Sequence, residues 1–425
     1  MIETRFKDTK VGRIPVDWDV TSIDKLCTLK ARIGWQGLTT GEYLPQGDYI
    51  LITGTDFKDG YIDWKNCCYV SKWRYDQDTN IQIKEGDVLI SKDGTIGKVA
   101  FLNSIPGPGT LNSGVFVVRP KQEDIVNQAY LSWIFKSIWF KSFIDQLTAG
   151  STINHLYQKD FVKFQLVYPK DKSEQTHIAT ALSNIDALIS ELGKLIEKKR
   201  AIKQGAMQQL FTGKKRIKGF SEPWIETTLG DNILFLRTGL NPRIHFKLNT
   251  PDADCFYITV RELQGFDIII GEQTDRINHS AVERIDERSK LKIGDVLFSG
   301  TGTIGQTALV KEKPHNWGIK EGIYAITPNC KSLDSSFLIY YLHTISAISL
   351  FSSMASGSTI NSIPMAKLLE FPIKLPSLSE QSAIVSVLSS MDEEISSLEA
   401  KREKYFSIKQ GMMQQLLTGK IRLID

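Results

Sequence analysis

Two sets of side chains in this 425-residue sequence have the chemistry to read nucleic-acid bases. The first is Arg32, Trp35, Gln36, Lys72, Trp73, Arg74 and Tyr75. The second is Arg237, Asn241, Arg243, His245, Arg261, Gln264, Asn278 and His279. Arginine offers a planar fork to the guanine edge, and asparagine or glutamine matches adenine in the major groove. A third candidate is a short glycine turn, Gly94-Thr95-Ile96-Gly97, flanked by Lys92, Asp93 and Lys98 and repeated as Gly302-Thr303-Ile304-Gly305. Its plain role is a tight turn between strands. Its sharper role is a backbone nest for phosphate around Thr95 and Thr303. Any one of these residues is ordinary surface taken alone, because most polar side chains are exposed for no special reason.

Catalytic chemistry is not written in the same way. There is no nucleotide-binding G-x-x-x-x-G-K-[ST] loop, no H-E-x-x-H and no G-x-S-x-G elbow. Asn241-Pro242-Arg243 lacks the second proline and the aromatic of an amino-methyltransferase motif. The five cysteines form no C-x-x-C pair, and the six histidines lack metal-ligand spacing. We therefore expect no catalytic residue, no metal and no cofactor, and thiols that are buried or incidental.

The elements that position these residues come in duplicate. Lys84 to Gly97 (KEGDVLISKDGTIG) matches Lys292 to Gly305 (KIGDVLFSGTGTIG) at ten of 14 positions. GSTIN occurs at 150–154 and again at 357–361. Lys203 to Gly213 (KQGAMQQLFTG) matches Lys409 to Gly419 (KQGMMQQLLTG) at nine of 11. Trp18-Asp19-Val20-Thr21 is echoed by Trp224-Ile225-Glu226-Thr227. The shift stays between 206 and 208 throughout, which establishes a duplication. Between the matched blocks, Arg32 to Lys72 and Arg237 to Arg288 have no convincing counterpart in each other. A common frame with divergent inserts suits two different ligands held on one scaffold.

Each copy begins with strand signals: Asp48 to Thr53, Asp87 to Ser91 and Val115 to Arg119, echoed by Phe256 to Val260, Asp295 to Ser299 and Ile323 to Thr327. Amphipathic helices are expected over Tyr130–Asp145 and Ser336–Phe351, and closing strands over Phe164–Tyr168 and Phe371–Leu375. Pro169 and Pro376 then lead into Ser-Glu-Gln helix starts. Apolar residues follow at heptad spacing: Ile178, Ile185, Leu192 with Leu182, Ile189, Ile196, and Ile384, Met391, Leu398, Tyr405, Met412 with Leu388, Ile395. Each helix should run about 40 residues, about 60 Å. Such a stripe needs a mate, and the other copy's helix is the obvious one, antiparallel, with the globular parts at opposite ends of a rod. Lys199 interrupts the seam where the second copy has Tyr405, so its head must snorkel outward.

The fold class is thus α+β: two pseudo-symmetric α/β domains joined by two long antiparallel helices. We divide the chain into a first globular domain 1–170, a central helix 171–215, a second globular domain 216–376 and a C-terminal helix 377–425.

Charge is uneven. The net charge is only +4, but Lys194 to Lys218 holds nine basic residues and one acid, and Lys401 to Arg422 holds six and one. Such runs are usually solvated faces. Here they sit beside Gln204 and Gln208 in one copy and Gln410 and Gln414 in the other, which suits phosphate neutralisation or a docking face for a protein partner. Hydrophobic residues make up 41% and charged residues 24%, as in a soluble globular protein. Met1 to Lys10 is polar, unlike a signal peptide. The most apolar stretch, Tyr130 to Phe140, contains Lys136 and is too short to span a bilayer. A cytoplasmic location without a membrane partner is the expectation.

The doubled D-V-L-[IF]-S…G-T-I-G, GSTIN, P…S-E-Q and K-Q-G-x-M-Q-Q-L-[FL]-T-G-K blocks, with Ile14-Pro15-Val16-Asp17-Trp18 and Glu222-Pro223-Trp224, resemble a specificity (S) subunit of a type I restriction-modification system. The resemblance covers essentially the whole chain in the family's order. It implies that each globular part is a target recognition domain reading one half of a bipartite, asymmetric site on double-stranded DNA. It implies that the paired helices set the spacing and dock two modification (M) subunits, which carry S-adenosylmethionine and methylate adenine. Restriction (R) subunits would join for ATP-dependent cleavage. On this resemblance Arg32, Lys72, Arg74, Lys92, Thr95, Lys98, Arg237, Arg243, Arg261, Gln264, Asn278 and Thr303 are the candidate DNA contacts, and Gln204, Gln208, Gln410 and Gln414 the docking residues. The alternatives are a coiled-coil adaptor without base readout, or a stand-alone nuclease or methyltransferase.

Overall fold

The computed structural model describes residues 4–424 except 59, 123, 150–154, 313–315 and 356–360, and except the Trp35 side chain. Both GSTIN blocks lie outside the described residues, apart from Asn361. The chain forms two compact units, 1–193 with 400–425, and 194–399. Each unit therefore takes one globular part and a stretch of both long helices.

In the first unit the strands Val99–Phe101, Val88–Ser91, Val115–Pro120 and Cys27–Lys30 form an antiparallel four-stranded sheet in that order. A second sheet pairs Gly109–Leu111 parallel to Tyr49–Ile52, which runs antiparallel to Cys68–Val70. The second unit repeats the design. Thr307–Leu309, Val296–Ser299, Ile323–Pro328 and Ile233–Thr238 form its four-stranded sheet. Trp317–Ile319, Cys255–Ile258 and Arg276–Ile277 form its three-stranded one, with the same parallel and antiparallel pairings. The divergent inserts therefore share a strand frame that their sequences announce only at the strand Asp48 to Thr53 and its echo.

The expected amphipathic helices are each broken in two. Gln128–Phe135 is followed by Ile138–Thr148, and Ser335–Leu342 by Ile345–Met354. Ser137 and Thr344 cause the breaks. Their side chains accept from Trp139 N and Ala347 N and so cap a new helix. Phe135, Phe140, Phe161 and Phe164 pack together in the first core, and Phe298, Phe351 and Phe371 in the second. No single helix among the described residues is long and apolar enough to cross a membrane.

The long helices are Lys172–Phe211, 40 residues, and Leu378–Leu416, 39 residues. Within each unit they pair antiparallel. In the first, Asp186 meets Lys409 and Glu174 meets Arg422. In the second, Asp392 meets Lys203 at 2.5 Å and Glu380 meets Arg216 at 2.6 Å. Ile178, Leu182, Leu192 and Ile196 are buried on one helix and Ile384, Leu388 and Ile395 on the other. Each buried aliphatic contributes on the order of 2 kcal/mol. Lys199 is half-buried, and its ammonium pairs with Glu394 at 2.6 Å, as a snorkelling lysine should.

The doubled tryptophan and Ser-Glu-Gln motifs explain each other. Trp18 Nε1 donates to Glu174 at 3.2 Å, and Arg422 closes on the same carboxylate through two nitrogens at 2.6 and 2.8 Å. Trp224, Glu380 and Arg216 repeat this at 3.2, 2.6 and 2.7 Å. The next residue anchors the helix start to the globular part. Gln175 donates to Ile125 O and Pro169 O, and Gln381 to Ser332 O and Pro376 O.

Candidate nucleic-acid interface

The glycine turn is closed by the serine that ends the preceding strand. Ser91 Oγ donates to Thr95 O and accepts from Lys98 N, at 2.7 and 2.9 Å. Ser299 does the same with Thr303 O and Gln306 N, at 2.5 and 2.9 Å. All four glycines, Gly94, Gly97, Gly302 and Gly305, take φ between 68° and 92°, where an L side chain is strained. Thr95 and Thr303 are exposed at the tips. Each turn lies against the chain at the end of a GSTIN block or just after it. Leu156 N donates to Lys92 O, His155 pairs with Asp93, and Gly302 N donates to Asn361 O. The glycine turn thus meets His155 and Leu156 in the first unit and Asn361 in the second, far from it in sequence. Lys92 is half-buried over the Phe116 ring, and burial holds its pKa below the ordinary lysine value.

The predicted base-reading sets divide in space. Arg32 is buried at 2% exposure. It donates to Leu111 O at 2.9 Å, Thr110 Oγ1 at 3.1 Å and Gln77 at 3.2 Å, and burial lowers its pKa. Arg74 is tied to Glu42 at 2.7 Å and lies on the exposed Trp73 ring. Gln36 is buried, and its side-chain oxygen has no hydrogen-bond partner among the described residues. Lys72 is exposed and pairs with Asp76 one helical turn on. Tyr75 stacks on Tyr49 with centroids 4.5 Å apart.

In the second unit Arg237 is drawn inward, 2.7 Å from the fully buried Asp295 and 2.5 Å from Thr327 Oγ1. Asn278 caps the helix His279–Ser289 and donates to Asp252. Asn241 caps Pro242–His245, leaving Arg243 exposed beside Ile244. Arg261 is exposed and reaches Asp275 at 2.8 Å, and Gln264 is exposed on a two-residue strand. His245 is half-buried and gives its carbonyl to Arg284.

A cleft of about 1360 Å³ opens in the first unit beside the glycine turn. It carries Lys58, Lys98, Lys136, Lys141, Arg402 and Lys409 among its lining, against the acids Asp63, Asp145, Asp186 and Glu403. Tyr61 and Lys409 both bond to Asp186 in its wall. Burial pushes Lys136 down to about 8, with Asp186 opposing the shift and Lys409 adding to it. Sequence reasoning missed this cleft because its walls come from an insert, a short helix and both long helices.

The basic run between the copies is partly neutralised. Lys199, Arg200, Lys203 and Arg216 all pair with acids of the second unit. Gln204, Gln208, Gln410 and Gln414 are all exposed. The cysteines are free thiols. Cys27, Cys67 and Cys255 are buried, Cys68 is half-buried and Cys330 is exposed.

This twice-built frame matches one family. The type I restriction modification DNA specificity domain matches residues 15–204 and 239–405, and the chain belongs to that family. The type I restriction enzyme MjaVIII specificity subunit of Methanocaldococcus jannaschii is 26% identical over 435 residues, spanning 99% of this chain and 97% of that one. The MjaIX specificity subunit of the same organism is 30% identical over 204 residues, 45% of this chain and 43% of that one. The fold is that of the S subunit of a type I restriction-modification system from M. genitalium, with a TM-score of 0.59 at 16% identity over 94% of this chain and 96% of that one.

Proposed function

We propose that the chain reads a bipartite DNA site, one half with each globular part, and carries the subunits that modify it. The observation behind this reading is a single frame built twice, with different side chains on the same three-stranded sheet, in a member of a DNA specificity family. A shared frame suits a shared backbone geometry of DNA. Different inserts suit different bases.

Among the candidate contacts, Lys72, Lys92, Thr95, Lys98, Arg243, Arg261, Gln264, Asn278 and Thr303 meet DNA in this reading. Arg32, Arg74 and Arg237 shape the surface from within, because their guanidinium groups are held by protein acceptors. Lys98 and Arg402 place positive charge in the first unit's cleft, where phosphates would lie. Gln204, Gln208, Gln410 and Gln414 offer amide donors and acceptors to two modification subunits, which bring S-adenosylmethionine and methylate adenine. Restriction subunits complete the assembly. The chain contributes recognition and no catalytic group.

Mapping methylated adenines genome-wide with and without this gene tests the reading. A bipartite motif should appear with the gene and vanish without it. An unchanged methylation pattern would refute it.

A further inference from the structure

The cysteines and histidines are scattered in sequence, yet the second unit gathers one of each with a carboxylate. Cys255 opens the central strand of the three-stranded sheet and pairs in register with Ile277. Two residues after Ile277 the chain enters the helix His279–Ser289. That register sets His279 beside Asp254 and Cys255. His279 Nδ1 and Asp254 Oδ1 each lie 3.4 Å from Cys255 Sγ. His279 Nε2 lies 3.2 Å from Asp254 Oδ2. One ligand atom from each residue falls within 4.8 Å of the other two. Bonds of about 2.3 Å to sulfur and about 2.0 Å to nitrogen give a tetrahedral zinc site a sulfur–nitrogen edge of about 3.5 Å.

We propose that Asp254, Cys255 and His279 bind a zinc-class divalent cation that clasps this strand to the start of the helix. A thiolate and an imidazole select a borderline-soft ion over magnesium or calcium. The same residue types also build a nucleophile, base and orienter. Geometry and burial together favour the ion, because the three ligand atoms close within 4.8 Å of one another while Cys255, 1% exposed, offers its sulfur no open face to a larger substrate. His279 and Asp254 are exposed, so an ion is held from the solvent side and water completes its shell.

The first unit shows what the clasp replaces. Asp48-Tyr49-Ile50-Leu51-Ile52-Thr53 corresponds to Asp254-Cys255-Phe256-Tyr257-Ile258-Thr259 at the repeat's shift of 206. Tyr49 stands where the second unit has Cys255, and it stacks on Tyr75 of the short helix Lys72–Asp76. One unit fastens strand to helix with two rings, and the other with three ligand atoms.

The test uses the full-length chain, stripped with a chelator and titrated with Co²⁺. A stoichiometric sulfur-to-cobalt charge-transfer band should rise, and Zn²⁺ should displace it. Cys255→Ser should abolish the band, and Cys330→Ser, at an exposed thiol, should leave it unchanged. His279→Ala alters only an exposed residue, so it probes the site without disturbing the core. It should weaken cobalt binding at least about tenfold. No band, a band that survives Cys255→Ser, or unaltered affinity in His279→Ala would each overturn the proposal.

Discussion

The two units answer the same mechanical problem with the same parts in the frame and different parts in the inserts. Trp18, Glu174 and Arg422 in one unit match Trp224, Glu380 and Arg216 in the other, bond for bond. The lysine–aspartate pairs of the long helices also match, and each lysine lies over an aromatic ring, Trp133 or Tyr340, at 5.3 or 5.2 Å. The inserts show no such matching. The first buries an arginine, Arg32, and stacks tyrosines. The second carries an eleven-residue helix and a cysteine–histidine–aspartate cluster. Even the conserved-looking aspartates of the two G-D-V blocks are neutralised from different strands, Asp87 by Arg119 and Asp295 by Arg237. Contacts that serve assembly are thus duplicated side chain by side chain. Contacts that shape the variable surface have been rebuilt within the same backbone.

The largest effect should come from separating the copies. A chain ending after about residue 215 keeps Asp186 and Lys203, the counterparts of the doubled lysine–aspartate pair, so two copies can supply each other's partners. Size-exclusion chromatography should show a dimer, and that dimer should read a palindromic site. A strictly monomeric fragment would break the equivalence.

Next come the frame ties. Glu380→Ala leaves Arg216 without its carboxylate and Trp224 without its acceptor, and should lower stability by about 3–5 kcal/mol in denaturant melts. Glu174→Ala should cost less, because Arg422 keeps its pair with Asp17. A loss below about 1 kcal/mol at either site would mean that the tie acts like an ordinary surface pair.

The inserts should respond unevenly. Arg32→Ala should lower stability by about 2 kcal/mol, since buried acceptors lose their donor. Lys98→Ala should leave stability within about 0.5 kcal/mol. It should reduce the log–log salt slope of DNA binding by the assembled complex by about 1.

The smallest effect is pH dependence at one repeated position. Lys136 in the first unit corresponds to His343 in the second, and burial depresses both. A base depressed in the folded state takes up its proton more readily when unfolded, so stability falls as pH drops through that window. For Lys136 the window runs from the ordinary lysine value of 10.5 down to about 8. For His343, beside Lys203 and Asp392, it lies below 6.5. Thermal melts should show Lys136→Met removing the alkaline dependence and His343→Gln the acid one. Identical pH profiles for wild type and variants would remove these residues from the account.

Much of this frame was legible from repetition. The strands Val88–Ser91 and Val296–Ser299 and both long helices lie where pattern and turn chemistry put them. Their signals are local: β-branched runs, a heptad stripe, proline before a Ser-Glu-Gln start. The helix breaks at Ser137 and Thr344 were hidden because apolar periodicity runs through them, and only the capping hydroxyls decide the geometry. Beyond the strand Asp48 to Thr53 and its echo the kinship of the inserts was hidden too, since strand pairing constrains burial pattern more than residue identity. Arg32 and Arg237 read as candidate base contacts because sequence cannot tell an arginine facing solvent from one held by buried carbonyl and carboxylate oxygens. Asp254, Cys255 and His279 escaped notice because a strand register, not spacing along the chain, brings them together.

The central claim is that the two globular parts read independently on one frame. Exchanging residues 1–170 for the matching part of another family member, followed by mapping of methylated adenines, tests it most directly. One half of the bipartite motif should change while the other half stays. A motif in which both halves change, or neither does, would contradict it.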